Sequence, residues 1–115
     1  MSGDCVFCKI ASGEIPSKGV YRDGDVLAIE DIHPEAPVHL LVMPSTHHPN
    51  IESLTGLQDG VLVAKLFEVA SRLGRERGGA DGFRLVINTG RNGGQTVDHL
   101  HVHVLAGRAM TWPPG

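Results

Sequence analysis

At 115 residues and a formal charge of −3, the chain is long enough for one domain with a real core. Lacking any Lys/Arg run, it is not built to hold a nucleic-acid polymer. Its composition is that of an ordinary globular domain apart from 15 glycines, 7 histidines and few aromatics. "MSGDCVFCKI" has an acid and two cysteines where a signal peptide needs an apolar run, and no stretch is long enough to span a membrane. The expectation is a cytoplasmic protein with reduced cysteines and no membrane partner.

In chain order, "PSKGVYRDGDVLAIEDI" reads as a hairpin: Val20 to Arg22, an Asp23-Gly24 turn, then Val26 to Asp31. "HPEAP" interrupts, because Pro34 and Pro37 cannot sit inside a central strand. Val38 to Met43 is a short apolar run, read as a buried strand that Pro44 ends. Thr55 and Gln58 have the spacing of a capping box, so a helix is expected to start near Gly56. Leu62, Leu66, Val69, Ala70 and Leu73 put an apolar stripe on one face of it, and Gly78-Gly79 ends it. That stripe looks larger than five short strands need, which hints at a second copy of the chain. "FRLVIN" is a further strand, "TGRNGGQTVD" a polar Gly-rich loop, and Leu100 to Leu105 the last strand. Strands dominate around one long helix, an α+β pattern over a mostly antiparallel sheet.

"GGQTVDHLHVHVL" carries the chemistry. In a strand, His99, His101 and His103 share one face while Leu100, Val102 and Val104 line the other. A lone histidine is ordinarily a satisfied core or surface residue; three on one face call for another account. One metal ion held by all three would be strained, since positions four apart lie about 13 Å from each other along a strand. Gly90, Gly93 and Gly94 allow the backbone to turn into an anion-binding nest, with Gln95 and Thr96 adding side-chain donors. A phosphate held there would lie beside an imidazole able to attack it. The residues by themselves leave covalent phosphoryl or nucleotidyl transfer and metal-dependent hydrolysis evenly open.

"HLHVHVL" resembles the His-x-His-x-His-x-x signature, with x apolar, of the histidine triad (HIT) family. "CVFCKIASGEIPS", "DIHPEAPVHLLVMP", "VINTG", "GGQTV" and "WPPG" are similar, in order, to segments of its nucleotide-binding (HINT) branch. The resemblance covers nearly the whole chain. It implies a single HIT domain over residues 1–115, with a five-stranded, mostly antiparallel sheet, one long helix and a short N-terminal helix. It also implies a homodimer, and hydrolysis of purine nucleoside 5′-phosphoramidates to a nucleoside monophosphate and an amine. Hydrolysis of dinucleoside polyphosphates and a non-catalytic nucleotide-binding scaffold are the alternatives. An intact His39, His101 and His103 set weighs against the scaffold. No cluster of cations accompanies Arg84, Arg91 and Arg108 to hold a polyphosphate.

By the same resemblance His101 is the nucleophile, His103 touches the α-phosphate and leaving atom, and His39 assists the protonation of the nucleophile. Asn88, Gly94, Gln95 and Thr96 match phosphate contacts, and Asp31 the carboxylate on the ribose. Phe7, Ile10, Ile29, Ile32 and Leu41 match an apolar purine slot, with core packing as the plainer account. Thr96 departs from the serine of the animal members but keeps the hydroxyl. Cys5-x-x-Cys8 is either a pair of reduced thiols or half of a zinc site. Members that keep these cysteines complete a closed, structural zinc site with histidines matching His47 and His99. His48 has no assigned role.

Overall fold

The computed structural model describes residues 4–115. Met1–Gly3, part of the expected domain and of the stretch read as no export signal, lie outside the described residues. In chain order the elements are α1 (Val6–Ala11), β1 (Gly19–Arg22), β2 (Val26–Glu30) and β3 (Val38–Pro44), then a 3-10 turn (Ile51–Ser53). After it come α2 (Gly56–Gly78), β4 (Phe83–Val86) and β5 (Val102–Ala106). The strands form one antiparallel sheet in the order β1-β2-β3-β5-β4, so the α+β reading holds.

The hairpin forms where Asp23-Gly24 predicts it. Asp23 Oδ1 accepts the N–H groups of Asp25 (2.7 Å) and Val26 (2.9 Å), so the side chain templates the turn. The Tyr21 hydroxyl and Lys65, on α2, both reach Asp23 Oδ2, at 2.6 and 2.9 Å. These donors, the Tyr21 hydroxyl foremost, hold the Asp23 carboxyl below the usual carboxylate range and tie the hairpin to the helix.

One sheet face is covered by α2. Leu66, Val69, Ala70 and Leu73 pack on Val26, Ala28, Leu40, Val42, Leu100, Val102 and Val104, all buried. Burying each large side chain contributes roughly 1.5–3 kcal/mol. The stripe from Leu62 to Leu73 is therefore taken up by the chain's own sheet, and the size argument for a second copy falls away. The large apolar side chains that α2 does leave exposed are Leu57, Val61 and Phe67. On the opposite sheet face, Phe7 from α1 covers Leu27, Ile29, Leu41 and Met43.

Two local expectations are corrected. Thr55 caps α2 without a side-chain bond; instead Asp59 Oδ2 accepts the Thr55 N–H at 2.8 Å. A carboxylate is the stronger acceptor and suits the positive end of the helix, and Gly56 enters at φ +78, off the geometry a Thr–Gln box needs. The last strand pairs only from Val102, because β3 pairing stops at Val42–Val102 and the Leu100 N–H goes instead to the His48 carbonyl at 2.6 Å. Helix α2 ends as expected, with Gly79 at φ +82 and its N–H on the Arg75 carbonyl.

Candidate active site and metal centre

Strand register brings the imidazoles together. Leu41 pairs with His103 and His39 with Leu105, which puts His39 and His103 diagonally on the sheet face away from α2. His99 and His101 precede the ladder but keep the alternation, since Leu100 is buried in the helix-side core. His39, His99 and His101 are buried, and His103 is half-buried.

The hydrogen bonds assign each ring's hydrogen, because a carbonyl only accepts and a peptide N–H only donates. His101 Nδ1–H donates to the His99 carbonyl at 2.7 Å, leaving the Nε2 lone pair free. His99 Nε2–H donates to the Pro44 carbonyl at 2.8 Å, leaving its Nδ1 as a lone pair. The Glu35 N–H donates to His39 Nδ1 at 3.0 Å, so the hydrogen of neutral His39 sits on Nε2. That Nε2–H faces His103 Nδ1 at 2.9 Å and Asp31 Oδ2 at 3.4 Å. His103 then carries its own hydrogen on Nε2. His39 thus bonds to His103. Burial lowers the pKa of His101 and, with the charges of His101 and His39, that of His103 to about 4. Both rings are neutral near pH 7, as attack at phosphorus requires.

A second cluster lies against the first. The ligand atoms of Cys5, Cys8, His47 and His99 are all within 4.8 Å of one another. Cys5 Sγ lies 3.3 Å from His99 Nδ1, and Cys8 Sγ lies 3.4 and 3.5 Å from the Nδ1 atoms of His47 and His99. The S–N edge of a zinc tetrahedron is about 3.5 Å, given bonds of about 2.3 and 2.0–2.1 Å, so this donor set fits the ion. The His99 Nε2–H on a carbonyl is the supporting bond such ligands usually make. Burial first, then Cys5 beside it, pushes the Cys8 thiol up to about 11; two thiolates this close need a cation between them. A cleft of about 500 Å³ lined by Cys5, His47, Asp4 and Asp98 opens onto this centre. Asp31, His39 and His103 also converge within 4.8 Å, but the hydrogen-bond chain above accounts for them without a metal.

The Gly-rich loop differs from its reading. The Gly94 and Gln95 N–H groups are already given to the carbonyls of Arg91 and Gly90, so the expected nest is closed. Asn88 Nδ2 donates to the Gly93 carbonyl at 2.7 Å, and Gln95 braces the loop to Pro49, Val97 and Gly90. The glycines serve the loop's own fold: Gly94 has φ +83, and a Cβ on Gly93 would collide with the Thr89 carbonyl oxygen. Thr96 is exposed at its end. Of the apolar slot, Phe7, Ile29 and Leu41 share one buried cluster with Ile10 at its margin, while Ile32 stands apart, 85% exposed. The Phe7 ring meets His99 and His101 edge-on at 5.8 and 5.1 Å. The Glu35 peptide and the Pro44 carbonyl escaped the sequence reading. Both act through the backbone, so no residue type signals them.

A small α+β domain with an imidazole-lined sheet face and a thiol–imidazole cluster beside it is the class these features define. Residues 12–110 match the HIT domain, and the chain belongs to that family. It is 44% identical over 115 residues to the adenylylsulfatase HINT1 of Arabidopsis thaliana, covering 96% of this chain and 76% of that one. It is equally identical over 117 residues to the 14 kDa zinc-binding protein of Brassica juncea, covering 97% and 100%. A HIT family hydrolase from Legionella pneumophila superposes with a TM-score of 0.92 at 46% identity, covering 97% of this chain and all of that one.

Proposed function

We propose that the protein is a nucleotide hydrolase that cleaves nucleoside 5′-phosphoramidates through a covalent nucleotidyl-His101. The observation that carries this reading is the His101 Nδ1–H on the His99 carbonyl, which leaves the Nε2 lone pair of a neutral ring unengaged, with the centroid of the His103 ring 4.9 Å from that of His101. Attack by Nε2 forms an N–P bond and breaks the P–N bond to the leaving amine, which takes up one proton. The Nε2–H of His103 supports the departing nitrogen. Water then cleaves the phosphoimidazole, freeing the nucleoside monophosphate and returning a proton. Asp31 is assigned to the ribose hydroxyls, the exposed Thr96 hydroxyl at the end of the closed loop to the phosphate, and Phe7, Ile10, Ile29 and Leu41 to the purine. The relative named an adenylylsulfatase supports an adenylyl moiety as the part recognised.

Cys5, Cys8, His47 and His99 would hold zinc, and the relative named a zinc-binding protein supports this. Bound there, the ion would fix α1 to the sheet without touching the reacting atoms. A cytoplasmic homodimer completes the reading. β4 is an edge strand, and Phe67 and Val61 on the neighbouring helix are exposed. Sedimentation of a stable monomer at micromolar concentration would count against the dimer.

Phosphoramidates are favoured over dinucleoside polyphosphates because Arg84 and Arg108 already donate to main-chain carbonyls, at Thr111, Glu35 and Ala109. The test compares an AMP–amine conjugate with diadenosine triphosphate on one preparation. The expected ratio of kcat/KM is at least about 100, roughly 2.7 kcal/mol of differential transition-state binding. A better rate on the dinucleotide would overturn the substrate choice, and no turnover of either would favour the scaffold.

A further inference from the structure

The turn after β5 backs the loop that sets the imidazole chain. Arg108 Nε–H donates to the Glu35 carbonyl at 3.1 Å. One residue earlier, Gly107, at φ +91, lies so close to Pro37 that an added Cβ would sit 2.9 Å from the Pro37 Cβ. The loop they press upon is closed at its base by the Asp31 N–H on the His39 carbonyl at 3.0 Å. Pro34 and Pro37 stiffen it on either side of Glu35. The Glu35 residue is thus gripped at its carbonyl while its N–H points at His39 Nδ1, 3.0 Å away. Turning this segment away would let His39 carry its hydrogen on Nδ1 and present a lone pair to His103. His103 would then have to hold its hydrogen on Nδ1, and a lone pair would replace the Nε2–H.

We infer that Arg108 is a positioning residue: by orienting the Glu35 backbone it fixes, through His39, which ring nitrogen of His103 carries the hydrogen. It touches neither substrate nor His103. The inference rests on the proposed hydrolase reading for its effect on turnover, while its effect on the tautomers is independent of any substrate.

The test uses the full chain and three variants. Nitrogen-15 NMR of the histidine rings in wild type is expected to show the hydrogen on Nε2 in both His39 and His103. Arg108→Ala should mix the tautomers at both rings, and Arg108→Lys, which still offers a donor to the carbonyl, should restore them. Turnover of an AMP–alkylamine conjugate by Arg108→Ala should fall on the order of ten-fold in kcat with KM unchanged, a fraction of the about 10²–10⁴ that a positioned acid–base group contributes. Turnover of an AMP–nitrophenyl ester, whose leaving group departs without a donor's help, should hardly move. Arg84→Ala removes a comparable arginine, one bound to the Thr111 carbonyl, and should leave the tautomers as they are. Unchanged tautomers in Arg108→Ala, equal slowing of both substrates, or the same change in Arg84→Ala would overturn the inference. A wild type inert on both substrates but with the tautomers shifting as described would overturn the hydrolase reading and leave the relay standing.

Discussion

The two faces of the one sheet solve different problems with the same strands. On β3, Leu40 and Val42 point to α2, while His39, Leu41 and Met43 point the other way. The α2 face is closed chiefly by apolar volume, and apolar side chains of the right total size would fill it. The other face is apolar only around Phe7, Leu27, Ile29, Leu41 and Met43; beyond them it is a field of imidazoles. Among the described residues every buried side-chain nitrogen and oxygen has a partner. Those partners are largely main-chain groups of Glu35, Pro44 and His99. Packing is non-directional and tolerant; a tautomer is decided by one donor in one place. The histidine face therefore depends on loop geometry in a way the helix face does not.

Substitutions should separate the two faces, and the largest effect belongs to the nucleophile. His101→Ala is expected to lower kcat by about 10⁴ or more while nucleotide affinity and folding change little, as steady-state kinetics and calorimetry would read. Near-normal turnover in that variant would end the covalent mechanism. The mirror experiment is Leu66→Ala on the helix face. It should cost about 2.7–5 kcal/mol in urea unfolding, yet leave the folded molecules with wild-type kcat. A fall in kcat there would mean that the faces are coupled.

Cys8→Ser sharpens the contrast within the histidine face. Wild type purified without a histidine tag is expected to hold one zinc per chain by elemental analysis. The variant should lose the metal and about 5 °C or more of Tm. Metal-free wild type of undiminished stability would refute the site.

The smallest effect is a pH window. Burial holds folded His103 at about 4, against about 6.5 in the unfolded chain. The unfolded state therefore takes up the proton first as pH falls. The stability contributed by neutral His103 is complete above about pH 6.5 and is lost as pH falls toward about 4. Asp23, with its folded pKa depressed, adds a loss that begins as pH falls through the ordinary carboxylate range, where the unfolded carboxyl takes up its proton, and continues below it. Urea melts across pH should show both phases. His103→Asn should weaken the first, to which buried His99 and His101 contribute in the same direction, and leave the second.

Much of this was legible in the residues. Period-two alternation across Leu100 to Val104 placed the histidines on one face, and Asp23-Gly24 and Gly78-Gly79 marked real chain reversals and ends. Cys5-x-x-Cys8 and the matched His47 and His99 do meet in space, although Cys5 and His99 lie 94 positions apart. The Gly-rich loop was legible only in part. Its glycines are required, but for close packing on Thr89 and for positive φ rather than for an open nest. The resemblance matches Ile32 to the slot, yet the chain carries it out to solvent.

What the sequence determined by itself is what local chemistry and periodicity control: the strand faces, the helix stripe, the turns and the kinds of side chain available for chemistry. What only the tertiary structure decided is direction. Which nitrogen of His101 is free follows from the position of one carbonyl, and which nitrogen of His103 carries hydrogen follows from one peptide N–H in the "HPEAP" loop. Every residue carries a carbonyl and every residue but proline an N–H, so their presence says nothing. Their orientation is fixed only when strands distant in sequence pair and hold the loops between them in place.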